Sequence, residues 1–240
     1  MRVSITQPTY LPWLGYFELI ASVDVFVFLD TVQFEKQSWQ NRNRLKGSDG
    51  APFWLTVPVA GAPLATNLQF IQIAADGRKW ATKHLQSIRS ALGRAPYFHE
   101  IFPHLEAWLT KPEERLSEMN ISGIRHFAEL LGLRTRFIRA SELGCTGTRT
   151  ALVIDILKRV GARHYRANAG SRAYMEECAH LFAEAGITYD YQAWEHPVYP
   201  QRGDSFLSHL GFPDALCQLG LAGTSRLLGT SLHEHHSART

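Results

Sequence analysis

The two ends of the chain alternate between short apolar runs and segments with an apolar residue at every third or fourth position. Short runs are typical of buried strands, and the longer spacing is typical of amphipathic helices. The run DVFVFLD at 24–30 is the clearest strand, because acidic residues close both of its ends. The pattern predicts strands at 3–6, 24–30, 135–139, 164–167 and 187–191, with helices at 12–21, 148–160 and 172–185.

The middle of the chain is mainly helical. Strands are predicted at 53–59 and 68–73, and helices at 79–92, 100–109 and 112–131. Alternation of strands and helices at both ends favours a three-layer α/β fold with a mostly parallel, Rossmann-like sheet. We therefore predict one domain over 1–240, in which 79–131 is a helical insertion or lid.

Composition and charge add limits to this interpretation. The net charge of +3 permits an anionic substrate but does not indicate a DNA-binding groove. Cys145, Cys178 and Cys217 lie far apart without zinc-site spacing, so no metal site is predicted and a reducing compartment is favoured. Neither a signal peptide nor a membrane-spanning run is visible, which predicts a cytoplasmic protein. The histidine-containing tail at 229–240 is predicted to be solvated.

Most of the candidate chemistry lies in one block, 5–45, where aromatic residues are interleaved with amides and charges. Apolar walls with a few polar groups are typical of small-molecule pockets. Asp30 closes a predicted parallel strand, at the sheet edge where ligands bind, and could hold a hydroxyl, an amine or magnesium. Its alternative role is that of a turn or capping acid.

The cluster that follows this strand combines a stacking residue with cations. Trp39 could stack on a base or sugar, and Arg42 could bind a carboxylate or phosphate, with Lys36 and Asn41 beside them. A solvated loop anchored by one tryptophan is the alternative interpretation.

Three later segments are further candidates. His84, on the apolar face of the helix at 79–92, is either a core histidine or a general base. The segments 146–150 and 168–172 each precede a helix and could bind an anion or simply cap that helix. Glu195–Gln201 could line a wall or form a packed loop.

Several long motifs resemble the WbqC-like family. They are QPTYLPWLGYF, DVFVFLDTVQFEKQSWQNRN, WLTVPV, WATKH and WEHPVYPQ, and they are collinear over nearly the whole chain. The resemblance implies a bacterial protein with a cytoplasmic role in surface-glycan biosynthesis, such as that of O-antigen or lipopolysaccharide. The activity it implies is transfer of an amino-acyl group, glycyl in particular, to an amino sugar.

Candidate site residues follow from these motifs and segments together. The predicted catalytic residues are Asp30, His84 and Lys36. The predicted substrate-binding residues are Gln7, Tyr10, Trp13, Tyr16, Gln33, Trp39, Asn41, Arg42, Lys83, Gly170, Tyr174, His196, Tyr199 and Gln201.

Three functions remain open from the sequence. The first is a transferase that acylates a sugar, which can be nucleotide-linked, from an activated acyl donor. The second is an ATP- and magnesium-dependent ligase or nucleotidyltransferase. The first strands and helix resemble the topology of nucleotidyltransferases, but this chain lacks the histidine motif of those enzymes. The third is a non-catalytic sugar-nucleotide binding protein. The partner is a small molecule in each case, and a tRNA-linked donor stays open.

Overall fold

A computed structural model describes residues 1–76 and 78–229 of the chain. The strands are β1 (Arg2–Thr6), β2 (Val25–Phe28), β3 (Arg42–Lys46), β4 (Pro52–Thr56), β5 (Arg136–Arg139), β6 (His164–Ala167) and β7 (Thr188–Tyr191). The helices are α1 (Leu14–Ala21), α2 (Lys79–Leu92), α3 (Phe98–Leu109), α4 (Leu116–Leu130), α5 (Arg149–Val160), α6 (Arg172–Glu177), α7 (Ala179–Glu184) and α8 (Pro213–Leu227).

Five parallel strands form the central sheet, in the order β5-β2-β1-β6-β7. Alternate residues of a strand face opposite sides of a sheet. Val25 and Val27 accordingly pack into the core beneath α5, α6 and α7, whereas Phe26 and Phe28 pack into the core shared with α1 and α8. Helices cover both faces, so the predicted three-layer α/β fold is confirmed.

The helices α2, α3 and α4 share the larger core with α1 and α8. Ile88, Leu105 and Phe127, one from each helix, are fully buried in it. The helix predicted at 79–92 agrees with α2 at both ends. This stretch forms part of the second helical layer, and its action as a lid stays a prediction.

The predicted strand at 68–73 is wrong. Leu68–Phe70 forms a 3-10 turn, and the residues after it make only isolated bridges, Gln72 with Arg115 and Ile73 with Val59. Backbone N–H groups of Leu68 and Gln69 donate to the carbonyl oxygens of Val32 and Asp30. These bonds hold the segment against the loop after β2, and the segment does not pair with a strand.

Other elements also differ from the sequence pattern. The helix predicted at 172–185 is two short helices that meet at Cys178, whose backbone is not helical. Strand β3 pairs in antiparallel fashion with β4, although its sequence RNRLK reads as a polar loop. Helix α8, which the pattern did not predict, is kinked at Gly220, where φ is 68° and ψ is 177°.

The kink in α8 gives a stability prediction. Gly220→Ala places a residue with a side chain in a conformation that only glycine readily adopts, and its Cβ would lie 2.7 Å from the Tyr97 ring. We expect the free energy of unfolding to fall by at least ~2 kcal/mol in urea titration. The control is Gly61→Ala, since a Cβ there meets no atom within 4 Å. Equal losses in both variants would contradict this explanation.

Candidate functional site

The order in which strands are added to the sheet reverses at β1, and a cleft lies at that point. The chain leaves β1 for β2 on one side, whereas β6 pairs on the other side. In open parallel sheets, ligands bind at the carboxyl ends of the strands where the order reverses. Thr6 ends β1 and Asn168 follows β6, and both residues line the cleft.

The cleft consists of two adjoining cavities. The larger cavity has a volume of about 580 Å³ and the smaller cavity one of about 290 Å³. Thr6, Thr9, Trp39 and Asn168 line both of them, so the cavities lie side by side. Their combined size suits a ligand of the dimensions of a sugar or a nucleotide-sugar, because small-ligand pockets span roughly 300–1,000 Å³.

Aromatic rings form one wall of the larger cavity. Trp13, Trp194 and His209 line it, and the Trp13 ring centroid lies 5.8 Å from that of Trp194 and 4.6 Å from that of His209. His196 stacks on Trp13 with an interplanar angle of 14°. Gly15 makes this position of Trp13 possible, since a Cβ at residue 15 would lie 2.0 Å from the indole ring.

The backbone that carries this wall is strained at two places. Leu11, which is fully buried, and His209 are non-glycine residues with φ values of 44° and 58°. Nδ2 of the buried Asn43 donates to the Leu11 carbonyl oxygen at 2.6 Å. The N–H of Phe212 donates to the Pro12 carbonyl oxygen at 2.8 Å. Such strain persists only where surrounding contacts enforce it, and it clusters at ligand sites.

Helix α4 fixes the two loops that frame the cleft. The side-chain amide of Asn120, which is fully buried, donates to the Pro8 carbonyl oxygen at 3.1 Å and to the Gln40 carbonyl oxygen at 2.8 Å. The N–H of Tyr10 also donates to the Trp39 carbonyl oxygen at 2.9 Å. The helical middle of the chain thus positions the cleft without lining it.

Several predicted substrate-binding residues come together here. The residues in the lining of the cleft are Gln7, Trp13, Tyr16, Trp39 and Gly170. Arg42 lies at the rim, where its guanidinium stacks 4.3 Å from the centroid of the Trp54 ring. Trp54 in turn contacts Trp39, and both tryptophans are about half exposed. Arg42 is therefore next to the cleft rather than inside it.

Two of the predicted catalytic residues are held by protein groups away from the cleft lining. Asp30, which is buried, accepts hydrogen bonds from the Ser141 N–H at 3.0 Å and the Ser141 hydroxyl at 2.6 Å. His84 shares a hydrogen bond of 2.8 Å between its Nδ1 and the Tyr10 hydroxyl. Burial lowers the pKa of His84 to about 4, so it is neutral at pH 7. Their catalytic roles stay predictions.

Other predicted residues lie outside the cleft lining. Gln33 and Lys36 line a separate cavity of about 500 Å³ beside the loop 60–66. Asn41 donates to the Val57 carbonyl oxygen, and Lys83 is exposed on α2. Gln201 bonds both backbone groups of Leu207. The Tyr174 side chain and the tail from 230 onward lie outside the described part of the chain.

The cleft residues that sequence reasoning missed include Thr6, Thr9, Gln192, Trp194 and His209. Thr6 ends one parallel strand and Gln192 follows another, so the rule for strand ends could have found them. No local signal marks His209, because the fold of residues 196–212 brings it against Trp13. The predicted anion segment at 146–150 does not line the cleft, and the Thr148 side chain makes no capping hydrogen bond.

A comparison of the chain with models of protein families tests the family resemblance that the motifs indicate. The model of the WbqC-like protein family matches residues 7–225. The chain belongs to the WbqC-like protein family. A curated relative, the uncharacterized protein Rv1507c of Mycobacterium tuberculosis (strain ATCC 25618 / H37Rv), is 30% identical over 223 residues, which cover 91% of this chain and 94% of the relative. No solved structure matches the chain.

Within 1–76 and 78–229, no helix is long and apolar enough to cross a bilayer. The same residues contain no group of three or more histidine, cysteine, aspartate or glutamate side chains placed to hold a metal ion.

The contact between Gly15 and Trp13 gives a prediction on the shape of the cleft. Gly15→Ala should displace the indole of Trp13, because the new methyl group would overlap the ring. We expect a changed tryptophan fluorescence spectrum and a loss of the Trp13–His209 contact in a crystal structure of the variant. An unchanged position of the Trp13 ring would contradict the packing described here.

A buried acid gives a prediction on pH. Asp214 accepts a hydrogen bond from the Tyr199 hydroxyl at 2.9 Å, and burial raises the pKa of Asp214 from 3.8 to about 6. The folded state therefore binds a proton that the unfolded state has lost, so stability should fall as pH rises from about 4 to about 6. In urea titrations Asp214→Asn should lack this component of the decline. Parallel curves for both proteins would contradict the raised pKa.

Proposed function

We propose that this protein is a cytoplasmic group-transfer enzyme that acylates an amino sugar in surface-glycan or related biosynthesis, with an amino-acyl group such as glycyl as the expected acyl group. The observation that carries the proposal is the cleft at the reversal of strand order, with its aromatic wall at Trp13 and its amide side chains at Gln7 and Gln192. Membership of the WbqC-like family supports a role shared with its relatives, and the acyl transfer itself is our inference.

The wall and the amides together suit a neutral, hydroxylated ligand. An indole face packs against the C–H groups of a pyranose ring, and carboxamides bond its hydroxyl or amino groups. Among the described residues that line the two cavities, none is lysine or arginine. This composition favours the sugar itself as the ligand of the larger cavity. A nucleotide or carrier phosphate would then extend toward Arg42 at the rim.

The chemistry requires an amine and a proton acceptor. The sugar nitrogen attacks the acyl carbon, a C–N bond forms, and the bond from that carbon to the leaving group breaks with its electron pair. We assign the proton released from nitrogen to His209, which lines the larger cavity. Burial, with a smaller contribution from Arg44, lowers the pKa of His209, so its ring is neutral at pH 7 and can accept a proton.

Asp30 and His84 are less suited to that proton transfer in this geometry. Both carboxylate oxygens of Asp30 accept bonds from Ser141, and Nδ1 of His84 bonds Tyr10. A general base must reach the proton that it removes. Neither side chain belongs to the lining of the two cavities, which leaves them roles in positioning the loops around the cleft.

The test is a product assay with the purified chain. Nucleotide-linked amino sugars are incubated with acyl donors of three kinds: acyl-coenzyme A, acyl phosphate, and amino acid with ATP and magnesium. Mass spectrometry then detects the mass added to the sugar. Product from acyl-coenzyme A or acyl phosphate supports the proposal, whereas product in the ATP arm with release of pyrophosphate would indicate the ligase alternative. Tight binding of a nucleotide-sugar without product would instead favour the binding-protein alternative.

A matched pair of aromatic variants tests the position of the sugar. Trp13→Ala should raise KM for the sugar by about tenfold, the equivalent of ~1.4 kcal/mol, because it removes the stacking wall. Phe70→Ala is the control, since Phe70 is an exposed aromatic residue outside the cleft lining. Similar kinetics in both variants would place the sugar elsewhere. Steady-state rates at varied sugar concentration give the comparison.

A further inference from the structure

The side-chain amide of Gln192 has its orientation fixed by its neighbours. Its Nε2 donates to the Gly15 carbonyl oxygen at 2.7 Å and to a carboxylate oxygen of Glu18. Both of those groups can only accept, so the nitrogen must face them. The buried Glu18 also forms an ion pair with Arg166, whose Nη2 lies 3.1 Å from the other carboxylate oxygen. The oxygen of Gln192 is therefore the amide atom left for a ligand in the larger cavity.

The side-chain amide of Gln7 is fixed in the opposite sense. The backbone N–H of Glu35 can only donate, and it bonds Oε1 of Gln40 at 2.9 Å. This turns Nε2 of Gln40 toward Oε1 of Gln7, at 2.8 Å. Since Gln40 is buried and held by this bond, the oxygen of Gln7 is committed to it. The nitrogen of Gln7 is the amide atom left for a ligand in the smaller cavity.

We propose that these two amides give the cleft a direction: Gln192 accepts a hydrogen bond from the amino group of the sugar in the larger cavity, and Gln7 donates one to the carbonyl oxygen of the acyl donor in the smaller cavity. This assignment rests on the proposed function for the names of the two ligands. The direction itself rests on donor and acceptor chemistry, since a ligand reversed in the cleft would set donor against donor and acceptor against acceptor.

Carboxamide signals in nitrogen-15 NMR test the assignment at each end. The probes are D-glucosamine, with 2-deoxy-D-glucose as its counterpart without an amine, and acetyl phosphate as a simple activated acyl group. We expect D-glucosamine to shift the Gln192 side-chain signals and acetyl phosphate to shift those of Gln7. 2-Deoxy-D-glucose should bind about three- to tenfold more weakly than D-glucosamine, which is the usual range for one lost hydrogen bond.

Two near-isosteric variants test the Gln192 end and the Gln7 end of the cleft separately. Gln192→Met removes the acceptor, together with the nitrogen that bonds Gly15 and Glu18, and should weaken binding of D-glucosamine about three- to tenfold while leaving binding of acetyl phosphate unchanged. Gln7→Glu keeps the oxygen that Gln40 bonds but replaces the donor with an acceptor, so it should weaken only acetyl phosphate. Gln86→Met is the control, because Gln86 is exposed on α2 outside the cleft lining.

A variant at Gln40 tests the direction without altering either ligand-binding amide. Gln40→Glu can accept but not donate, so Gln7 must turn its nitrogen toward residue 40 and its oxygen toward the cavity. Binding of acetyl phosphate should therefore weaken, as it does in Gln7→Glu. If burial of the new carboxylate prevents folding, Gln40→Met, which removes the restraint on Gln7, should broaden the Gln7 side-chain signals.

The outcomes separate this inference from the proposed function. Shifts at the opposite ends, equal effects of both variants on both probes, or no binding of either probe overturn the inference. If the product assay succeeds while the probes give any of those results, the transferase stands and the direction is wrong. If the assay yields no product but each probe binds at its expected end, the direction stands and the proposed reaction is wrong.

Discussion

The parallel pairing of β1 with strands on both of its sides is the constraint on which the rest of the structure depends. β1 pairs with β2 along Val3–Thr6 and with β6 at Arg2 and Val3. Because the chain runs from β1 to β2 on one side and from β6 to β7 on the other, the loops after β1 and β6 separate and a gap opens between them. Thr6 and Asn168 border this gap. Every residue that we assign to ligand binding is positioned relative to it.

A set of buried polar contacts turns the gap into a shaped cleft. Asn43 and Asn120 donate to carbonyl oxygens of the loop between β1 and α1, which holds that loop in a strained conformation with Leu11 at positive φ. Buried amides are costly unless they are bonded, so each of these side chains restricts the backbone to one arrangement. Trp13 follows directly on this loop. The orientation of the aromatic wall is thus determined by buried amides that restrain the loop before it.

Charge is placed around the cleft more than inside it. Glu18 and Arg166 form a partly buried pair behind Gln192, and Asp190 joins Arg166 to Arg2. Arg42 stacks on Trp54 at the rim. Apart from Glu35, which lines the smaller cavity, the polar side chains that face a ligand are carboxamides, hydroxyls and aromatic rings. That division fits recognition of a sugar by hydrogen bonds and stacking, with any phosphate held near the opening.

The sequence by itself determined the layered fold, and it predicted a pocket in the block 5–45. Periodicity is a local property, so it predicted the strands and both ends of helix α2. The mixture of aromatic and amide residues indicated a pocket. The tertiary structure decided which of those residues share a cavity. It placed Asp30 against Ser141 and His84 against Tyr10, and it brought His209 and Gln192 to Trp13 and Gly15. Such contacts join residues 74 to 196 positions apart, and no local pattern encodes them.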